Sequence, residues 1–301
     1  MERGHTLNNT QDINAPIRIL LLGSGTEVGS SLLALSDGKS QFEWLCPEES
    51  LLLDVTRRAE LDAMQFDVIV DALSLRYALQ SDYSKFQSTL RYLSEQARAS
   101  LIMLSSARVF SGNKDVPYAE IDVPDNSDPY ALALIEAESI VLSNPENIVL
   151  RTGWLFSGKG DDFVCRTLGL IQDGVNLAYK DDLIGSPTPV SDLVRVILSM
   201  INQGHYGSTN KGVYHYCCAE EISWIGLVEA IVATSGQFDP KAQVEVEAIG
   251  DSFPEAQDVV VMKRQSLSCR KIFNHFGIKQ RPWRSKLRNL VKELYQLGNG
   301  Q

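Results

Sequence analysis

The segment 23-GSGTEVG-29 concentrates the most specific chemistry in the chain. Three glycines follow a short apolar run and precede an amphipathic stretch, the pattern of a strand, turn and helix that receives a pyrophosphate at a helix N-terminus. Gly23 can make the tight turn, Gly25 can let backbone approach a phosphate, and Gly29 can let the helix pack closely on the strand. Thr26, Glu27 and Val28 complete the turn that would cradle the nucleotide. The Glu27 carboxylate would repel a pyrophosphate unless it points away. The spacing GxGxxxG also suits a glycine-rich turn with no ligand, and position in the first strand–helix unit favours nucleotide binding. Downstream, Asp54 stands beside Arg57 and Arg58. Asp54 can meet the adenine side of a cofactor and the arginines a 2′-phosphate; equally, 54-DVTRRAEL-61 reads as a capped helix start with solvated charges. In 127-SDPYALALIEAES-139 the aromatic hydroxyl of Tyr130 opens a helix, and Leu134 stands one turn later. A free tyrosine has a pKa near 10, so proton transfer from it at neutral pH benefits from a nearby cation.

The elements that must position these groups follow from apolar periodicity. The runs 17–22, 42–45, 67–73, 101–106 and 147–153 predict strands buried on both faces, and 84–98 and 130–142 have helical spacing. Alternating strands and helices predict an α/β fold, a doubly wound parallel sheet of Rossmann type, with a smaller C-terminal α/β lobe. The division expected is a disordered leader over 1–15, a nucleotide-binding domain over 16–155 and a lobe over 156–301, with 183–204 packing back on the first domain. Within the lobe, 161–174 predicts a helix, 175–179 a strand, and Ser191 the N-cap of a helix running to 204. A strand over 213–217, a helix over 223–236 ended by a glycine stop, a strand over 257–262 and two terminal helices complete the reading.

Composition bounds the function. The 301 residues are 44% hydrophobic and 22% charged, enough to bury a sizeable core, and the net charge of −10 argues against a broad nucleic-acid surface. No run approaches the roughly 18 apolar residues of a membrane span, and the polar start MERGHTLNNTQDINAP lacks the centre of a signal peptide. A cytoplasmic setting is therefore expected, with the five cysteines reduced. They show no metal-ligand spacing, and Cys217 and Cys218 predict strand packing rather than a zinc site.

Taken in order, 105-SSARVFSG-112, 118-YAEIDVPDNSDPY-130, 150-LRTGWLFSGKGDDFV-164, 182-DLIGSPTPVSDLVRVI-197, 212-GVYHYCCAEEISWIGLVEAI-231 and 276-FGIKQRPWRSKLRNLV-291 resemble an extended short-chain dehydrogenase/reductase. More closely, the chain over about 17–296 is similar to the dTDP-4-dehydrorhamnose reductase group. The resemblance implies NADPH or NADH as hydride donor, a 4-keto-sugar nucleotide as acceptor, and a Ser/Thr–Tyr–Lys set. Carried over by position, Ser106 would hydrogen-bond the substrate carbonyl and Tyr130 would donate the proton. The lysine position is Leu134. Cofactor contacts would come from Gly23, Gly25, Thr26, Glu27, Val28, Gly29, Asp54, Ala72, Leu73 and Tyr130, and Val109 and Trp154 would line the sugar pocket or be plain core.

Other departures accompany Leu134. Thr26 replaces the middle glycine of that group's turn, Asp71 its asparagine after the third strand, and Val261-Met262 its Arg-Pro pair. Arg108, two residues from Ser106 on the strand end, can share its face and lend charge near Tyr130, or be a surface arginine at the loop mouth. Three functions compete: a nucleotide-sugar reductase, an oxidoreductase acting on a CH–OH/C=O group; a non-catalytic regulatory protein, as the methionine adenosyltransferase β subunit of this family serves in a complex; and, less favoured, an epimerase. The expected partners are a nucleotide-sugar substrate and a homodimer mate or regulatory complex.

Overall fold

The computed structural model describes residues 15–95, 99–160, 162–180, 184–240, 242–249 and 264–298. Residues 1–14 of the leader expected over 1–15, the strand expected over 257–262 and Val261-Met262 lie outside them. In chain order the first half holds β1 (Ile17–Leu22), α1 (Glu27–Ser36), β2 (Phe42–Leu45), α2 (Glu49–Leu52), α3 (Arg58–Ala63), β3 (Val68–Asp71), α4 (Ser74–Tyr77), α5 (Tyr83–Ser94), β4 (Ser100–Ser106), α6 (Pro129–Leu142) and β5 (Ile148–Thr152). Then follow β6 (Trp154–Phe156), α7 (Phe163–Gln172), β7 (Leu177–Lys180), β8 (Ile184–Gly185), β9 (Pro187–Pro189), α8 (Val190–His205), β10 (Gly212–Tyr216), β11 (Ile222–Ser223), α9 (Trp224–Ser235), β12 (Val246–Ile249), α10 (Arg270–Phe276) and α11 (Arg284–Gly298).

The main sheet has six parallel strands in the order β10-β5-β4-β3-β1-β2. Its apolar runs explain the layering: Ile19, Leu20, Leu21 and Leu22 of β1 are wholly buried, each side chain contributing about 1.5–3 kcal/mol on leaving water. The order reverses at β1, since β2 lies on one side and β3 on the other, and crevices beyond the carboxyl ends at such a point receive ligands. Register sets Leu22 beside Asp71 and Ser106 beside Thr152, so the ends of four strands share one edge.

The sixth strand, β10, comes from well beyond residue 155, and α8 packs on α1, so the large unit takes in 190–216 as well as the first 155 residues. A second core joins Phe156, Val164, Leu168, Val228, Ile231 and Trp283 in the smaller lobe. Two local expectations are corrected. Helix α8 starts at Val190 behind Pro189, with no side-chain cap, and Ser191 is exposed inside its first turn; the chain runs straight from β9 through a proline that fixes the entry angle. Gly236 ends α9 in a right-handed conformation (φ −60°), and the left-handed glycine cap belongs instead to Gly277 after α10 (φ 68°). Among the described residues no helix is long and apolar enough to cross a membrane.

Candidate active site

The glycine turn has the predicted shape. Gly23 takes φ 90°, and a Cβ there would lie 3.1 Å from Leu73, so the β1 and β3 ends close on each other. At Gly29 a Cβ would overlap the Gly23 carbonyl oxygen, whereas at Gly25 it would meet nothing within 4 Å. Thr26 is absorbed by the turn: its hydroxyl donates to the Gly23 carbonyl (2.7 Å) and accepts the Gly29 amide (3.0 Å), capping α1. The Glu27 and Val28 amides at the start of α1 have no partner among the described residues. Glu27 itself is half-buried and turns toward Ser157, Lys159 and Asp162 of the lobe, rather than to solvent. Burial raises its carboxyl pKa, partly offset by the Ser157 hydroxyl. An open Gly25 and free helix-start amides fit a pyrophosphate.

Around this turn the structure sorts the other predicted residues. Ala72 and Leu73 lie at the β3 end, with the Ala72 amide donating to the Leu22 carbonyl (3.0 Å). Asp71, fully buried, accepts the Leu73 amide (2.8 Å) and the Ser74 amide (3.0 Å) and a close contact from the Ser74 hydroxyl, holding α4. Burial raises its pKa to about 6 against those hydrogen bonds. Asp54 is partly exposed and caps the 3-10 turn Val55–Arg57 through the Thr56 amide (2.9 Å) and hydroxyl (2.6 Å), which lower its pKa. Arg57 pairs with Glu60 at the surface, and Arg58 donates to the Ser88 carbonyl. The residue directly after β2 is Cys46, whose thiol lies near the Ser24 side chain; burial raises its pKa, with Ser24 opposing.

Tyr130 and Ser106 stand further along the same edge. Pro129 opens α6 behind the Asp128 cap, which accepts the Tyr130 amide (3.0 Å), and α6 packs on β4 and on the 3-10 turn Ala107–Val109. The Tyr130 hydroxyl donates to the Leu75 carbonyl (3.2 Å). Its pKa rises to about 12, by burial first, with Arg108 opposing and Asp128 adding. Leu134 is wholly buried in the core. Arg108 is not on the strand face that its spacing suggested. It lies in the 3-10 turn, its amide donating to the Ser106 hydroxyl (3.2 Å) and its guanidinium to Asp128 (2.6 Å), stacked 4.3 Å from the Tyr130 ring centroid. Val109 is fully buried. Trp154 is half-buried, donates to Gln265 (2.6 Å), and meets Trp224 edge-on at 4.1 Å, with Gly185 directly against its indole.

Sequence reading missed a buried clamp behind the edge. Glu138 of α6 accepts Ser105 (2.5 Å) and takes Arg151 of β5 in a two-point pair (2.9 and 2.6 Å), both side chains almost wholly buried. Arg151 also reaches His215 of β10 (3.4 Å), whose pKa falls to about 3, chiefly by burial. Because Ser105 and Ser106 face opposite sides of β4, this clamp fixes α6 from the far side of the strand that carries Ser106. The available signal was an arginine inside an apolar strand, 148-IVLRT-152. Thr152, beside Ser106 in register, has a buried hydroxyl with no partner among the described residues. A cavity of about 950 Å³ opens elsewhere, by residues 116–119, 218–221, 267–270 and 278–280, and touches neither the glycine turn nor Tyr130. Cys217 and Cys218 are buried as strand-end packing, Cys217 with its sulfur 3.7 Å from that of Cys269.

The model of one protein family, described as the RmlD substrate binding domain, matches residues 17–296. A dTDP-4-dehydrorhamnose reductase of Aggregatibacter actinomycetemcomitans is 29% identical over 91% of this chain and 98% of its own. A crystal structure of a dTDP-4-dehydrorhamnose reductase from Clostridium acetobutylicum superposes with TM-score 0.79 at 23% identity, covering 92% of this chain and 99% of that one. The Bacillus anthracis reductase in complex with NADP gives TM-score 0.75 at 17% identity over the same shares. A Thermotoga maritima UDP-glucose 4-epimerase shares the fold more distantly, with TM-score 0.71 at 13% identity over 95% of this chain and all of that one.

Proposed function

The chain belongs to the RmlD substrate binding domain family, and on that premise we propose that it is an NAD(P)H-dependent reductase of a nucleotide-linked 4-keto-6-deoxy sugar, serving dTDP-rhamnose and polysaccharide synthesis. The observation that carries this reading is the shared edge: the open glycine turn at β1, the β3 end at Ala72–Leu73, Ser106 at the β4 end, and Tyr130 on the helix packed beside it. The full-length similarity to proteins named dTDP-4-dehydrorhamnose reductase supports the substrate class.

In this reading the free amides of Glu27 and Val28, beside open Gly25, hold the pyrophosphate at the start of α1, and the β3 end at Ala72–Leu73 stands across from it. Asp54 lies toward the adenine side. The nicotinamide supplies the hydride. Ser106 orients the substrate carbonyl by a hydrogen bond, and Tyr130 passes its hydroxyl proton to the oxygen as negative charge develops there. To do so Tyr130 gives up its bond to the Leu75 carbonyl, which holds the neutral form in the absence of substrate. Trp154 borders the sugar, whereas Val109, wholly buried, serves as core. The donor in this reading is NADPH or NADH.

One measurement pair tests this: calorimetric binding of NADPH and NADH, then NADPH oxidation with a dTDP-4-keto-6-deoxy sugar. Binding with turnover is expected, and failure to bind either cofactor overturns the reading. A second reading, a nucleotide-binding regulatory protein on the same fold, is favoured by one observation. Leu134 seals the place of a helper cation inside the core. Binding without turnover would select it.

A further inference from the structure

We propose that Arg108 supplies, from the face of the Tyr130 ring, the positive charge that Leu134 cannot supply from the same helix, and so acts as a positioning residue for proton donation. The inference rests on the reductase reading and deepens it. A wholly buried leucine one turn beyond Tyr130 offers neither charge nor donor. The guanidinium carbon of Arg108 sits 4.3 Å from the Tyr130 ring centroid, within the range in which a cation is drawn to an aromatic face.

This arginine is held at three points. Its guanidinium donates to Asp128 (2.6 Å), its amide to the Ser106 hydroxyl (3.2 Å), and its carbonyl accepts the Asn126 amide group (2.8 Å). One residue is thus wired to the substrate-orienting hydroxyl, to the cap of the tyrosine helix and to the tyrosine ring. A planar guanidinium locked in this way needs no rearrangement when charge develops.

When Tyr130 donates, its O–H bond breaks, a new O–H bond forms on the substrate oxygen, and the electron pair stays on the tyrosine. That negative charge spreads from oxygen into the ring, onto which Arg108 is stacked. The groups acting on Tyr130 are Arg108 from the 3-10 turn and Asp128 from the start of its own helix. Tyr83 faces it from α5, with Asp71 and Glu136 beyond. Arg108 is the positive member of this set. Asp128 offsets part of its charge, yet that carboxylate is turned to the Tyr130 backbone amide and the guanidinium to the ring.

The test compares wild type, Arg108→Met, Arg108→Lys, Leu134→Lys and the Arg108→Met/Leu134→Lys double variant. The readouts are kcat against pH with NADPH and a dTDP-4-keto-6-deoxy sugar, and NADPH affinity by calorimetry. Arg108→Met is expected to lower kcat about ten-fold or more. The basic limb of its profile should move to higher pH, with NADPH affinity little changed. Arg108→Lys should retain much of the rate, and Leu134→Lys should rescue Arg108→Met. Should the methionine variant fold poorly, Arg108→Gln, which can still bond Asp128 without charge, is read in the same way. An unchanged rate and pH limb in Arg108→Met or Arg108→Gln overturns the inference. So does a silent wild type whose Leu134→Lys variant turns over, an outcome that leaves the reductase reading standing. If neither turns over, that reading falls and the inference with it.

Discussion

Replacing Asp71 by asparagine should stabilise the protein at neutral and alkaline pH. This carboxyl is fully buried at the β3 end, and burial raises its pKa from 3.8 to about 6. A folded-state pKa above the unfolded value means that the native state binds the proton more tightly in that window. Stability is therefore highest below about pH 4, falls as pH rises through 6, and stays level above it. A shift of about two units corresponds to roughly 3 kcal/mol. Asparagine mimics the protonated acid: its oxygen can accept the Leu73 and Ser74 amides, and its NH₂ can donate to the Ser74 hydroxyl. Asp71→Asn should then exceed wild type by up to roughly 3 kcal/mol at pH 8 and match it near pH 4. Urea unfolding followed by tryptophan fluorescence at both pH values measures this. A variant no more stable at pH 8, or one with the same advantage at both, would refute the burial argument.

Three further outcomes follow from the packing. Gly25→Ala should fold as wild type but bind NADPH weakly, because its Cβ enters open space beside the helix-start amides; Gly29→Ala should cost about 1–3 kcal/mol, since its Cβ overlaps the Gly23 carbonyl. Thermal unfolding and calorimetry separate the two. Glu138→Ala should cost about 3–5 kcal/mol by stranding Arg151, while the double change Glu138→Leu/Arg151→Met should recover much of that, as chemical denaturation will show. Gly185→Ala should displace the Trp154 indole and shift tryptophan fluorescence, with a stability loss of about 1–3 kcal/mol; an unmoved spectrum would contradict the close contact.

The alternation of strand and helix was legible because buried parallel strands are continuous apolar runs, and 17–22 and 42–45 match the observed strands residue for residue. The glycine turn was legible for a related reason: a tight turn and a close helix approach restrict the residue type locally. Helix ends were less so. Ser191 had the right chemistry for a cap, but Pro189 led the chain into the helix before it, and Gly236 ended a helix without using its freedom to take positive φ.

Sequence by itself determined the doubly wound class and the turn at Gly23–Gly29, because apolar runs and glycine spacing are patterns of residues close together in the chain. Tertiary structure alone decided that β10 completes the sheet, that Glu27 turns to the lobe, and that Cys46 follows β2 beside Ser24. It also decided that Arg151 finds Glu138 inside the core and that the Tyr130 hydroxyl rests on the Leu75 carbonyl. Spacing along the chain left Arg108 either on the Ser106 face of the strand, near Tyr130, or at the surface. The fold instead turns the chain just after Ser106 and lays the guanidinium on the Tyr130 ring, 22 residues onward in sequence. Contacts of this kind depend on how separate elements pack, and no local pattern records that.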